Sequence, residues 1–178
     1  MDGRHQILFH SSNIIVLDNL FDDFFNQSIE SELKRVPWII STDSVEDGYS
    51  DAGFLHYSFN ANRPPEQQMG KLNFFGELIA QKILANVPDL RHYNINRFLW
   101  NYYNQSSTGT LHPDEHTDNF LSITYYVNTC DGGTMIGDRF VKSESGTAAI
   151  FPSKVLHRGI GPKEDLYRYV LNILLYKE

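Results

Sequence analysis

Residues 109–128 read GTLHPDEHTDNFLSITYYVN. A polar turn presents His112 and Asp114 one residue apart, and an alternating apolar–polar run follows at once. Side chains two apart on an extended chain share a face, so this imidazole and this carboxylate can point at one metal ion. A third ligand is available downstream in FPSKVLHRG, at His157. The His-x-Asp pair alone is a weak signal, because about half a match is expected by chance in a chain of this composition. A second pair, His116 and Asp118, follows closely and is an internal rival. The surroundings must decide between them.

Composition narrows the field. The chain has 178 residues, 41% hydrophobic and 21% charged, which fits one globular domain with a sizeable core. We expect a single domain over 1–178. A net charge of −7 argues against broad electrostatic binding to nucleic acid or anionic membranes. The single cysteine, Cys130, excludes an internal disulfide and fits a reducing compartment. The opening MDGRHQILFH lacks the apolar run of a signal peptide, and no stretch is long enough to span a bilayer. The expectation is a soluble, cytoplasmic protein.

Upstream, NIIVLDNL (13–20) reads as a short strand and turn. FDDFFNQSIESELKRV (21–36) spaces its apolar residues by three and four and stops at Pro37, which predicts an amphipathic helix. The polar, Gly-containing segment 38–60 reads mainly as a surface loop, with YSDAGFLHYSF hinting at a hairpin around Asp51 to Gly53. Residues 65–86 predict a second helix with the stripe Met69, Leu72, Phe75, Leu78, Ile79 and Ile83. NINRFLWNYYN (94–104) is dense enough in aromatic and aliphatic residues for a strand buried on both sides.

Only strands are expected from there to the end. Leu121, Ile123, Tyr125 and Val127 form one face of LSITYYVN and should pack against the helices. Ser122, Thr124, Tyr126 and Asn128 form the other, which suits a polar cavity. CDGGTMIG and SGTAAIFPS are each a turn entering a strand. In the last strand Tyr167, Tyr169, Leu171, Ile173 and Leu175 alternate with Arg168, Val170, Asn172 and Leu174. Helices followed by a run of strands give an α+β domain whose strands close into a barrel or double-sheet roll.

Two imidazoles and one carboxylate leave coordination positions open, an arrangement that suits non-haem Fe(II) and oxygen chemistry. Alternation turns Arg158 away from His157 and leaves Arg168 as the better basic candidate. A simple hairpin over GPKED (161–165) would set Arg168 opposite His157. In a two-sheet roll the two would instead face each other across the cavity. An arginine in so apolar a strand should not be buried unpaired. On alternation alone, a salt bridge to one of the many carboxylates and a role in the site both stand.

HPD (112–114), ITYYVN (123–128), GGT (132–134), IFPSKVLH (150–157) and RYVLNILLY (168–176), in this order, resemble the iron(II)- and 2-oxoglutarate-dependent dioxygenases. The similarity is to the prolyl 4-hydroxylase-like group, including its short microbial and phage-type members. It covers roughly residues 95–176. It implies a double-stranded β-helix (a jelly-roll, cupin-like fold) with its core at about 93–177 and the N-terminal helices packed on one sheet. It implies Fe(II) held by His112, Asp114 and His157 as the catalytic metal centre. The distal carboxylate of 2-oxoglutarate would sit on Arg168, with Tyr126 and Tyr103 touching the cosubstrate, or Tyr102 if the register slips by one. O2 would be the oxidant and ascorbate an accessory reductant. The substrate would be a peptide or small molecule, peptidyl proline first, hydroxylated with release of succinate and CO2. His116 and Asp118 would be loop residues near the mouth. The chain departs from the family in YYNQSSTG, where a Gly-rich turn is usual, and in the eleven-residue step from His157 to Arg168. Other readings of the same residues are a non-catalytic jelly-roll binding module and a zinc hydrolase using the His-Asp-His site. A nucleic-acid demethylase would need a basic groove that the sequence lacks.

Overall fold

The computed structural model of the chain describes residues 14–41, 53–61, 71–105 and 107–178. Its elements are β1 (Ile15–Leu17), α1 (Asp23–Leu33), β2 (Ile39–Ser41), β3 (Gly53–Asn60), α2 (Lys71–Asn86), β4 (Asn94–Asn104) and β5 (Phe120–Tyr126). They continue with β6 (Gly133–Ile136), β7 (Arg139–Lys142), β8 (Ala148–Pro152), β9 (His157–Ile160) and β10 (Tyr167–Tyr176). Seven strands form a large sheet in the order β1-β8-β5-β10-β4-β3-β2, and three form a small one, β7-β6-β9. All the pairings are antiparallel. Among the described residues, no helix is long and apolar enough to cross a membrane.

Both helices lie on one face of the large sheet. Asp22 caps α1 by accepting from the Phe25 N–H at 2.9 Å, and Asp23 in the first turn favours the helix dipole. The α1 face that turns inward carries Ile29, Leu33 and Asn26. Asn26 is buried because it is satisfied: its amide donates to the Asp22 carbonyl and it accepts from the Tyr125 hydroxyl, tying helix to sheet. Burial pushes the Tyr125 phenol well above its usual range, so it stays a neutral donor.

In α2 the inward residues are Leu72, Gly76, Ile79, Ala80 and Ile83. The expected stripe is thus corrected: Leu78 faces outward, 37% exposed, and two small residues take the inward positions. They let the helix lie close to the sheet. A Cβ on Gly76 would come within 2.7 Å of the buried Phe98 ring. Gly76→Ala therefore sets a helix-propensity gain of about 1 kcal/mol against overpacking of about 1–3 kcal/mol. We expect net destabilisation, read as a lower urea midpoint; a raised midpoint would mean the Phe98 ring can give way freely. The expected helix start at 65–70, including Met69, lies outside the described residues.

Alternation in the large sheet sends Phe98, Trp100, Ile123, Tyr125, Leu171 and Ile173 to the helix side, where they form the main core. Trp100 is fully buried and satisfies its indole N–H on Ser58 Oγ at 2.9 Å. On the opposite face Tyr126, Ala149, Phe151 and Val170 meet Ile136 and Val141 of the small sheet in a second core. The layers are therefore helices, large sheet, small sheet.

Two expectations change. In segment 38–60 the described residues include two strands, β2 paired with β3 and β3 with β4, extending the large sheet; residues 42–52, with most of the turn expected around Asp51 to Gly53, lie outside the described residues. Strand β7 was not expected; Gly137, at φ 58°, supplies the left-handed residue that a tight β6–β7 hairpin needs.

Candidate metal centre

His112 and His157 face each other as a hydrogen-bonded antiparallel pair. The His112 N–H donates to the His157 carbonyl at 3.0 Å, and the His157 N–H donates back at 2.9 Å. Residues so paired project to the same side of the ladder, and the two rings lie 4.7 Å apart between centroids. Asp114, two residues on, is held by its own N–H to the Ser153 carbonyl at 3.0 Å. The ligand atoms of His112, Asp114 and His157 all lie within 4.8 Å of one another.

Each imidazole is oriented for a metal. Nδ1 of His112 lies 2.7 Å from the Thr110 carbonyl and Nδ1 of His157 lies 3.0 Å from that of Val155. A carbonyl can only accept, so both Nδ1 atoms carry a proton and Nε2 is the atom of each ring left to face a metal. Burial lowers the pKa of His157 further than Asp114 raises it, leaving the ring neutral. For Asp114 burial pulls upward, but the charge of Arg97 and hydrogen bonds from Ser122 and Asn172 hold the carboxyl below its usual value. It is an ionised, largely buried carboxylate, 6% exposed.

Arg168 sits across the same cavity. β9 belongs to the small sheet and β10 to the large one, so His157 and Arg168 face each other between sheets rather than pairing in a hairpin. Arg168 is 1% exposed and donates to Thr134 Oγ1 at 2.6 Å, while its Nε and Nη1 are buried without a partner. Among the described residues no carboxylate pairs with it. Its guanidinium lies over the rings of Tyr103, at 4.8 Å, and Tyr126, at 5.3 Å. Of the two readings left open for Arg168, the salt bridge is not formed among the described residues, and a buried cation is left with donors to spare.

The cavity between these groups measures about 70 Å³ and is lined by Tyr103, His112, Asp114, Thr124, His157 and Arg168 among others. Tyr103 reaches it because β9 carries glycine opposite: a Cβ on Gly159 would lie 2.2 Å from the Tyr103 hydroxyl. Burial raises the Tyr103 phenol above its usual value despite Arg168, so it is a neutral donor. Tyr102 points the other way, into an aromatic cluster with Trp38 and Tyr169. Tyr126 backs Arg168 from within the second core and is not on the cavity wall. The rival pair stays apart from the centre: His116 is exposed, and Asp118 is 83% exposed and ion-paired with Lys154.

Sequence reasoning passed over Arg97, which bonds Asp114 Oδ1 at 2.9 Å. The available signal was parity: Arg97, Asn101 and Tyr103 alternate with Phe98, Trp100 and Tyr102 along β4. A larger open groove of about 500 Å³ between α1 and α2 carries the Lys71–Glu32 ion pair and no cluster of metal ligands among the described residues.

No family model and no curated protein sequence matches the chain. Solved structures do. HygX from Streptomyces hygroscopicus, with nickel and 2-oxoglutarate bound, superposes with a TM-score of 0.68 at 13% identity, over 94% of this chain and 84% of that one. The viral collagen prolyl hydroxylase of Paramecium Bursaria Chlorella virus-1, as its 2OG complex, gives 0.63 at 14%, over 93% and 96%. The non-haem alpha-ketoglutarate-dependent epimerase SnoN from nogalamycin biosynthesis gives 0.70 at 10%, over 94% and 79%. This chain shares the fold of these proteins.

Proposed function

We propose that the chain is a single-domain Fe(II)- and 2-oxoglutarate-dependent dioxygenase, built on a double-stranded β-helix, that hydroxylates its substrate and releases succinate and CO2. The observation that carries this reading is the buried, unpaired Arg168 in one cavity with the His112, Asp114 and His157 trio. An isolated buried cation is costly and persists where a ligand completes it. A dianion with one end on a metal and the other on a guanidinium satisfies both halves of the cavity, and guanidinium suits a carboxylate bidentately. A zinc hydrolase would leave Arg168 unused.

His112, Asp114 and His157 would hold Fe(II), His112 and His157 through Nε2. Arg168 would take the distal carboxylate of 2-oxoglutarate, with Thr134 holding the guanidinium in place and Tyr103 donating a hydrogen bond. When bound, iron and 2-oxoglutarate supply the oxidising chemistry: O2 is consumed, the cosubstrate is decarboxylated and one oxygen atom enters the substrate. The protein orients these groups, and Val170 and Leu99 on the cavity wall limit water beside them.

For the substrate, peptidyl proline is our first candidate, supported by the sequence resemblance and by the fold shared with a viral collagen prolyl hydroxylase. Succinate release should depend on Fe(II) and rise with a proline-containing peptide above the level given by free proline or by no substrate. Equal stimulation by free proline would move the assignment to small molecules. Succinate that never depends on Fe(II) would end the dioxygenase reading.

A further inference from the structure

We infer that Arg97, with Asn172, is a positioning residue for the metal centre: together they close a ring of hydrogen bonds around Asp114 that fixes the orientation of its carboxylate toward the metal. The inference rests on the metal reading above.

Arg97 Nη2 donates to Asp114 Oδ1 and to Asn172 Oδ1, both at 2.9 Å, and Asn172 Nδ2 donates to Asp114 Oδ2 at 3.1 Å. Each of the three residues thus bonds the other two. Strand register makes this possible. Arg97 lies opposite Leu174, and Asn172 opposite Leu99, so the two are diagonal neighbours on the cavity face of the β4–β10 ladder. Ser122 Oγ adds a second donor to Asp114 Oδ2 at 2.5 Å. Its single proton is spent there, so Ser153 must be the donor in the Ser122–Ser153 contact.

Both carboxylate oxygens of Asp114 are held, Oδ1 by Arg97 and Oδ2 by Asn172 and Ser122, with Oδ2 lying 3.5 Å from His157 Nε2. The carboxylate cannot rotate without breaking the ring, so its approach to a metal beside His157 is fixed. Arg97 also places a positive charge beside the centre, which opposes a divalent cation. We assign the larger weight to orientation. Losing an outer partner of a metal ligand costs about 10–100-fold in affinity, whereas repulsion from a guanidinium beyond the ligand is offset by the Asp114 charge between them.

The test is a Co(II) titration of the metal-free full-length protein without O2, followed by visible absorption, on wild type, Arg97→Met and Arg97→Lys. Arg97→Met should bind Co(II) about 10–100-fold more weakly, with an altered absorption envelope, and Arg97→Lys should recover part of the affinity. Asn172→Ala removes the same ring from the other side and should give the same result; it stands in if Arg97→Met does not fold, as judged by circular dichroism. Equal or tighter binding with an unchanged spectrum in folded variants would overturn the positioning role, leaving the metal reading intact. Failure of the wild type to bind Co(II) overturns the metal reading and this inference with it.

Discussion

Replacing Arg168 by methionine should raise the 2-oxoglutarate concentration for half-maximal turnover by about 1.5 to 3.5 orders of magnitude, without lowering the unfolding midpoint of the ligand-free protein. The first part follows from losing one partner of a buried charge pair, which costs about 2–5 kcal/mol, with tenfold in affinity for every 1.4 kcal/mol. The second follows from the guanidinium's present state. It gains one hydrogen bond to Thr134 and the faces of Tyr103 and Tyr126. Against these stands a desolvation cost of several kcal/mol for a buried ion with which no carboxylate pairs among the described residues. A merely structural arginine would show the reverse pattern: a lower midpoint with an unchanged requirement for 2-oxoglutarate. Steady-state succinate release and a urea titration separate the two.

His157→Ala should abolish metal binding and metal-dependent succinate release, an effect larger than the roughly 10–100-fold expected for an outer partner. The residue is 5% exposed, and with Nδ1 on the Val155 carbonyl its Nε2, 3.5 Å from Asp114 Oδ2, is the ring atom that faces the centre. His116→Ala is the control. His116 is exposed and lies outside the cluster of ligand atoms, so its removal should leave metal affinity unchanged. Calorimetric titration with Mn(II) measures both, and a loss in the control instead would relocate the centre to the second His-x-Asp pair.

A period of two along extended chain placed His112 and Asp114 on one face, while His157 entered as a downstream third ligand and through the motif order 112–176. The same rule assigned Leu121, Ile123 and Tyr125 to the helix side of β5, where they pack. It could not choose between Tyr102 and Tyr103, since both readings were one residue apart. Strand register resolves this by pairing Arg168 with Tyr103, and the glycine at 159 opens the space Tyr103 fills. Arg97 escaped notice because its meaning lies in Asn172, 75 residues later, and no local pattern reports a cross-strand diagonal. Segment 38–60 misled for a related reason. At the edge of the large sheet β2 exposes both Ile39 and Ile40 and β3 is mostly half-buried, so they lack the clean alternation that marked β5. The inward face of α2 was misjudged because Gly76 and Ala80 look indifferent in sequence, although their smallness is what brings the helix onto Phe98.

The account turns on whether one metal ion and one dicarboxylate bind side by side in this cavity. Metal-free wild-type protein, held without oxygen, should develop a weak visible absorption band when Fe(II) and 2-oxoglutarate are both added, and not with either alone. The band should be missing in His112→Ala. A folded wild-type protein that shows no band with both present would contradict the account.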